Sequence, residues 1–180
     1  MTNFQIGGKL SVPVGERDHS QGRPDAKVTL VEYGDFECSY CGKAYPIVEK
    51  VIDKLGEDLR FVFRNFPLSQ IHPHAQHAAE AAEAASTQNK FWEMHGYLFK
   101  HQEALADTNL FAYAEALSLD TGRFSKELTD HTHAPRIKED FSSGIRSGVN
   151  GTPTFFLNGV RHDGSWDFEF LLEAIEREMK

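Results

Sequence analysis

Cys38 and Cys41 are the only cysteines in the chain, and they stand where one kind of local pattern gives way to another. Before them, Val28-Thr29-Leu30-Val31-Glu32-Tyr33 is rich in β-branched and aromatic residues and reads as a strand. After them, Ala44, Ile47, Val48, Val51 and Leu55 recur at helical spacing, and Gly56 supplies a C-cap. The segment Phe36-Glu37-Cys38-Ser39-Tyr40-Cys41-Gly42-Lys43 therefore opens a helix directly after a strand. That confines the chain to folds built from a strand-turn-helix unit.

The junction also selects a chemistry. Unpaired N–H groups and the positive end of the macrodipole at a helix start favour thiolate over thiol, which makes Cys38 the expected nucleophile. A spacing of three puts both sulfurs on one helical face, about 5–6 Å apart at Cβ, so a small adjustment allows a disulfide. Cys38 can then attack a foreign disulfide and Cys41 can resolve the mixed species, or the steps run in reverse. Two bland readings stand beside this one. A zinc knuckle would need two further ligands from His or carboxylate, and a static bond over so short a loop would add little stability.

Taken in order, Phe4, Ile6, Leu10, Val12 and Val14 alternate and suggest an edge strand or hairpin over residues 4–14, while the polar residues 15–27 read as a surface loop. Pro46 predicts a kink one turn past the cysteines. Leu59-Arg60-Phe61-Val62-Phe63-Arg64 is a second strand, so a β-α-β unit with parallel strands is expected. Residues 72–147 contain helices only. The first is alanine-rich with Gln76, Glu80 and Glu83 as its polar stripe, and the later ones center on Phe91–Phe99, Leu110–Leu117, Phe124–His131 and Arg136–Arg146. Strands return at Thr154–Leu157 and Val160–His162 around Asn158-Gly159, the strongest short hairpin signal. Ser165 is then placed to cap a terminal helix whose stripe is Phe168, Leu171, Leu172, Ile175 and Met179.

This order of elements resembles the DsbA-like thiol–disulfide oxidoreductases, an α/β thioredoxin-like fold (β-α-β, then β-β-α) with an inserted all-helical subdomain. The likeness rests on Phe36–Cys41, on Phe63-Arg64-Asn65-Phe66-Pro67-Leu68 and on Gly151–Gly159. It implies a thioredoxin-like domain over residues 1–68 and 148–180, with the helical insertion at 69–147. It further implies that Pro153 has a cis peptide bond beside the cysteines and that Thr152 offers backbone bonds to an extended substrate. Glu32 matches the buried acid that such enzymes use to move protons at the second cysteine, a role suited to a carboxyl with a raised pKa. Ser39 and Tyr40, counted with the substrate-binding residues, depart from the Pro-His of the family's best-known oxidant. With Asp35 and Glu37 nearby they predict a less stabilised thiolate and a weaker oxidant.

The expected function is exchange of disulfides with protein substrates, without a cofactor, by a monomer. The implied partners are thiol- or disulfide-containing proteins together with a thioredoxin, glutathione or membrane quinone-linked system that resets the pair. A glutathione-dependent transferase or isomerase on the same fold and a non-catalytic zinc or binding module are the alternatives. A net charge of −8 with no basic run argues against nucleic acid. No signal peptide begins the sequence, so a cytoplasmic home is expected as it stands, or an extracytoplasmic one if its start is not the native start. Of nine histidines, His72, His74 and His77 and the pair His131 and His133 have metal-like spacings but read as exposed imidazoles, and no metal site is expected. His95 and the aromatics Phe91, Trp92, Tyr97 and Phe99 read as core, with His95 at its edge and hydrogen-bonded.

Overall fold

Alternation along the central strands decides which side chains meet which helices. The structure is a computed structural model describing residues 8–180. Its five strands, β1 (His19–Gln21), β2 (Val28–Gly34), β3 (Leu59–Asn65), β4 (Thr154–Leu157) and β5 (Val160–His162), form one sheet in the order β1-β3-β2-β4-β5. β2 and β3 run parallel, as the β-α-β reading requires, and the other pairings are antiparallel. The helices are α1 (Ser39–Leu55), α2 (Ala75–Ser86), α3 (Phe91–Lys100), α4 (Asp107–Ala116), α5 (Thr121–Thr129), α6 (Ala134–Arg146) and α7 (Phe168–Glu178). None of the described helices is long and apolar enough to cross a membrane.

Because successive strand residues point to opposite faces, Val28, Leu30, Phe61, Phe63, Phe155 and Leu157 form one apolar surface, packed against α1, α7 and the helices α2 to α5. Val31, Tyr33, Val62 and Phe156 form the other, closed by Phe66, Val149 and Phe141 of α6. Both faces of β2 are covered, which is why its sequence is almost continuously apolar. Glu32 shares its face with Leu30 and so points toward α1. The Asn158-Gly159 turn has φ of 48° and 84°, the left-handed pair that a two-residue hairpin demands.

Several expectations are corrected. The segment at residues 15–27 is not a plain loop: it holds β1, paired with β3, and His19 stacks on Phe91 with ring centroids 3.6 Å apart. No local period announces a three-residue strand. The expected strand over 4–14 is, in its described part, a single bridge between Lys9 and Val160, while Phe4 and Ile6 lie outside the described residues. Pro46 does lie inside α1, at an exposed position, and the helix runs on to Leu55. α7 is preceded by Asp167, and Ser165 serves it indirectly by accepting the Asp167 N–H through Oγ at 3.1 Å. Two members of the polar stripe of α2, Glu80 and Glu83, are 0% and 1% exposed, held by partners from other elements.

One buried ion pair fixes the N-terminal segment. Arg64 of β3 donates to both Asp18 carboxylate oxygens, at 2.8 and 3.0 Å, and to the Val12 and Pro13 carbonyls at 2.9 and 3.2 Å. Both side chains are nearly inaccessible, at 3% and 4% exposure. An uncompensated buried cation is far costlier than an absent pair. Asp18→Ala should therefore lower unfolding stability by about 3–5 kcal/mol in denaturant titration. Arg23→Ala, which breaks the exposed pair with Asp25, should leave the midpoint unchanged.

Candidate active site

β2 ends at Gly34 and the chain turns through Asp35, Phe36 and Glu37 before α1 begins at Ser39. This turn is pinned by Asp35, itself 1% exposed. Its Oδ1 accepts the Glu37 N–H at 2.8 Å, and its Oδ2 accepts the Leu68 N–H at 2.9 Å and faces His72 Nδ1 at 2.7 Å. Gln102, beyond α3, clamps the same turn from outside by donating from Nε2 to the Phe36 and Cys38 carbonyls at 2.9 and 2.8 Å. Gly42 leaves the space for that clamp, since a Cβ there would stand 2.0 Å from Gln102 Oε1.

Cys38 occupies the N-cap position of α1 with extended backbone, and its sulfur is 3.4 Å from the Thr152 carbonyl oxygen. Both cysteines are free thiols, Cys38 5% exposed and Cys41 fully buried. Their acidities are driven apart. The Cys41 side chain, hydrogen-bonded to Cys38, is the main cause that lowers the Cys38 pKa to about 5 against the opposing effect of burial, and the Tyr40 and Cys41 backbone N–H groups add to it. Cys41 moves the other way, well above the ordinary thiol value, because of burial first and then the neighbouring Cys38 and Glu32. The lowered Cys38 pKa runs against the expectation of a poorly stabilised thiolate. Asp35 and Glu37 are each hydrogen-bonded to a histidine, Asp35 with His72 and Glu37 with His74 at 2.9 Å.

Glu32 lies 2% exposed on the sheet face toward α1, and its Oε1 has no hydrogen-bond partner. Burial, reinforced by the charge of Cys38, raises its pKa to about 8. The Thr152–Pro153 bond is cis and both residues are half-buried. Ser39 and Tyr40 lie on the open side; the Tyr40 ring is 60% exposed beneath Lys43 Nζ. The structure thus gathers Cys38, Cys41 and Glu32 with Thr152, and leaves Ser39 and Tyr40 at the rim.

Asp35, His72 and Gln102 are the site residues that the sequence pattern passes over. His72 was visible as one of several histidines, but only the fold brings it to Asp35. Although partial burial opposes the cation, the Asp35 hydrogen bond and the charges of Asp35 and Cys38 raise its pKa. His95 was expected at the core edge with a partner. It is instead 4% exposed among Phe36, Phe63 and Phe99, its Nε2 unpaired, and burial lowers its pKa to about 3, so it is a neutral core ring.

The family profile described as Thioredoxin matches residues 15–177. Among solved structures, the chain is similar to a thioredoxin-like oxidoreductase from Silicibacter pomeroyi DSS-3, at 26% identity and TM-score 0.80 over 91% of this chain and 92% of that one. BdbD from Bacillus subtilis follows at 26% identity and TM-score 0.78, covering 97% of both. Among curated proteins, it is 51% identical over 167 residues to the Na(+)/H(+) antiporter NhaA 1 of Salinispora arenicola, which takes in 92% of this chain and 26% of that protein. The chain spans about a quarter of the length of the curated relatives it matches.

Two outcomes follow from the acidities. Cys41→Ala removes the largest cause of the low Cys38 pKa, so the pH midpoint of Cys38 alkylation should rise from near 5 by roughly one unit or more. Glu32 has a folded pKa raised to about 8, so its contribution to stability is full below the ordinary carboxyl value and is lost as pH rises through 8. Glu32→Gln should therefore match the parent in stability near pH 4 and exceed it at pH 8, by on the order of a few kcal/mol in denaturant unfolding.

Proposed function

Because the chain belongs to the thioredoxin family, we propose that it is a DsbA-like thiol–disulfide oxidoreductase that passes the Cys38–Cys41 disulfide to protein thiols. The observation that carries this reading is the split between the two sulfurs, Cys38 favoured as thiolate and Cys41 as thiol. A stabilised Cys38 thiolate lowers the energy of the reduced pair relative to the disulfide, and a couple whose reduced form is stabilised is a stronger oxidant.

The steps balance without a cofactor. A substrate thiolate attacks Cys38 Sγ of the oxidised pair and the Cys38–Cys41 bond breaks, releasing Cys41 as a thiolate. With a pKa of about 8, Glu32 holds a proton at neutral pH and supplies it to Cys41, whose own affinity for protons is high. A second substrate thiolate then attacks the substrate sulfur of the mixed disulfide, and Cys38 leaves as its favoured thiolate. The substrate is oxidised to a disulfide and the enzyme pair is reduced. Thr152 and Pro153, with Ser39 and Tyr40 across from them, form the edge along which an extended peptide lies, and the Asp35–His72 hydrogen bond holds the turn. A separate thiol-oxidising partner resets the pair.

Cys38→Ser should abolish exchange while leaving the fold intact, and Cys41→Ser should accumulate protein-linked mixed disulfides. A Cys41→Ser protein with full glutathione-dependent turnover would instead support the transferase reading. Equilibration in graded glutathione buffers should give a reduction potential at or above about −180 mV, and a value near about −270 mV would reverse the proposed direction of electron flow.

A further inference from the structure

Glu80 is a carboxylate at 0% exposure, and a buried carboxylate needs a positive partner. Its neighbour one turn along α2, Glu83, has one: Arg136 Nε stands 2.9 Å away, with His19 and Asn65 completing the shell. Among the described residues no lysine or arginine pairs with Glu80. It is approached by two imidazoles. His131 Nδ1, from the turn between α5 and α6, is 3.1 and 3.2 Å from its two oxygens, and His77 Nε2, on α2, is 4.0 Å from Oε2. The two rings lie 5.5 Å apart, and donor atoms of all three residues fall within 4.8 Å of one another.

We infer that His77, Glu80 and His131 bind one divalent first-row cation, zinc above all. The 4.0 Å separation is too long for a hydrogen bond. Yet two donors sharing a tetrahedral zinc at about 2.0–2.2 Å each stand roughly 3.3–3.6 Å apart, so a small rotation of the half-exposed His77 ring closes the set. The ring is already oriented for this. Its Nδ1 is 2.8 Å from the Asp107 carboxylate at the start of α4, which directs Nε2 at Glu80 in the manner of a carboxylate-backed histidine ligand. The other histidines with suggestive spacing are each taken by a single acid, His72 by Asp35, His74 by Glu37 and His133 by Glu127 at 2.7 Å. Two imidazoles and a carboxylate suit zinc, and the exposure of His131 at 57% leaves the fourth position open to water. The bound cation would tie α2 to the α5–α6 turn, away from the sulfur pair.

The test uses the full chain carrying Cys38→Ser and Cys41→Ser, so that thiolates cannot compete. Calorimetric titration of the metal-free protein with zinc chloride should give one saturable site per chain, together with a rise in melting temperature on zinc addition. His77→Ala and His131→Asn, the second chosen because position 131 has φ of 50° and Asn keeps a donor for Glu80, should each weaken binding at least tenfold and remove the thermal shift. Asp107→Asn should weaken it by roughly 10- to 100-fold, the range for groups that orient a ligand. Absence of saturable binding, or unchanged affinity in both histidine variants, would overturn the proposal and leave a simple histidine–glutamate ion pair.

Discussion

A sulfur that is to be an anion where water scarcely reaches must find its solvation in fixed dipoles, and most of the architecture around Cys38 answers that need. The turn after β2 aims the first N–H groups of α1 at the sulfur, and Cys41 adds its S–H. Those dipoles work only if the turn is held still. Asp35 does so from within, through the Leu68 N–H and His72, and Gln102 does so from outside. The helices between β3 and β4 are therefore part of the electrostatics of the cysteine pair rather than an appended layer.

Elsewhere the same problem of buried charge is met with partners. Asp18 has Arg64, and Glu83 has Arg136, His19 and Asn65. Asp140 accepts the Asn65 N–H at 3.1 Å, while burial still raises its pKa to about 6. Glu32 stands apart with a bare buried oxygen. A protein that satisfies most of its buried acids but not this one carries a local cost beside its reactive sulfurs, the kind of inconsistency found where chemistry rather than stability sets the residue.

How far the sequence could be read follows the range of the interactions. The strands β2 and β3, the helices with apolar stripes and the Asn158-Gly159 turn are decided by neighbours a few residues away, and they appear where their patterns place them, whereas the alternation over residues 4–14 gives only a bridge in its described part. The Cys-x-x-Cys was legible for the same reason, because its chemistry belongs to a helix start. What escaped was decided at long range. β1 exists because His19, Ser20 and Gln21 find the open edge of β3, and nothing in a polar thirteen-residue stretch announces a partner beyond residue 58. Glu80 and Glu83 look like a solvated stripe until α6, β1 and the turn before α6 close over them. The hydrogen bonds of Asp35 and Glu37 were equally out of view, because His72 and His74 arrive from the far side of β3.

The clamp formed by Gln102 also bears on how such a chain can change over generations. Its amide occupies the volume that any side chain at position 42 would need, and the same amide holds two carbonyls of the reactive turn. The two positions lie in different layers and far apart in sequence, yet share one space. Drift at one is coupled to the other: a larger residue at 42 displaces the Gln102 amide and with it the bonds it donates to the Phe36 and Cys38 carbonyls.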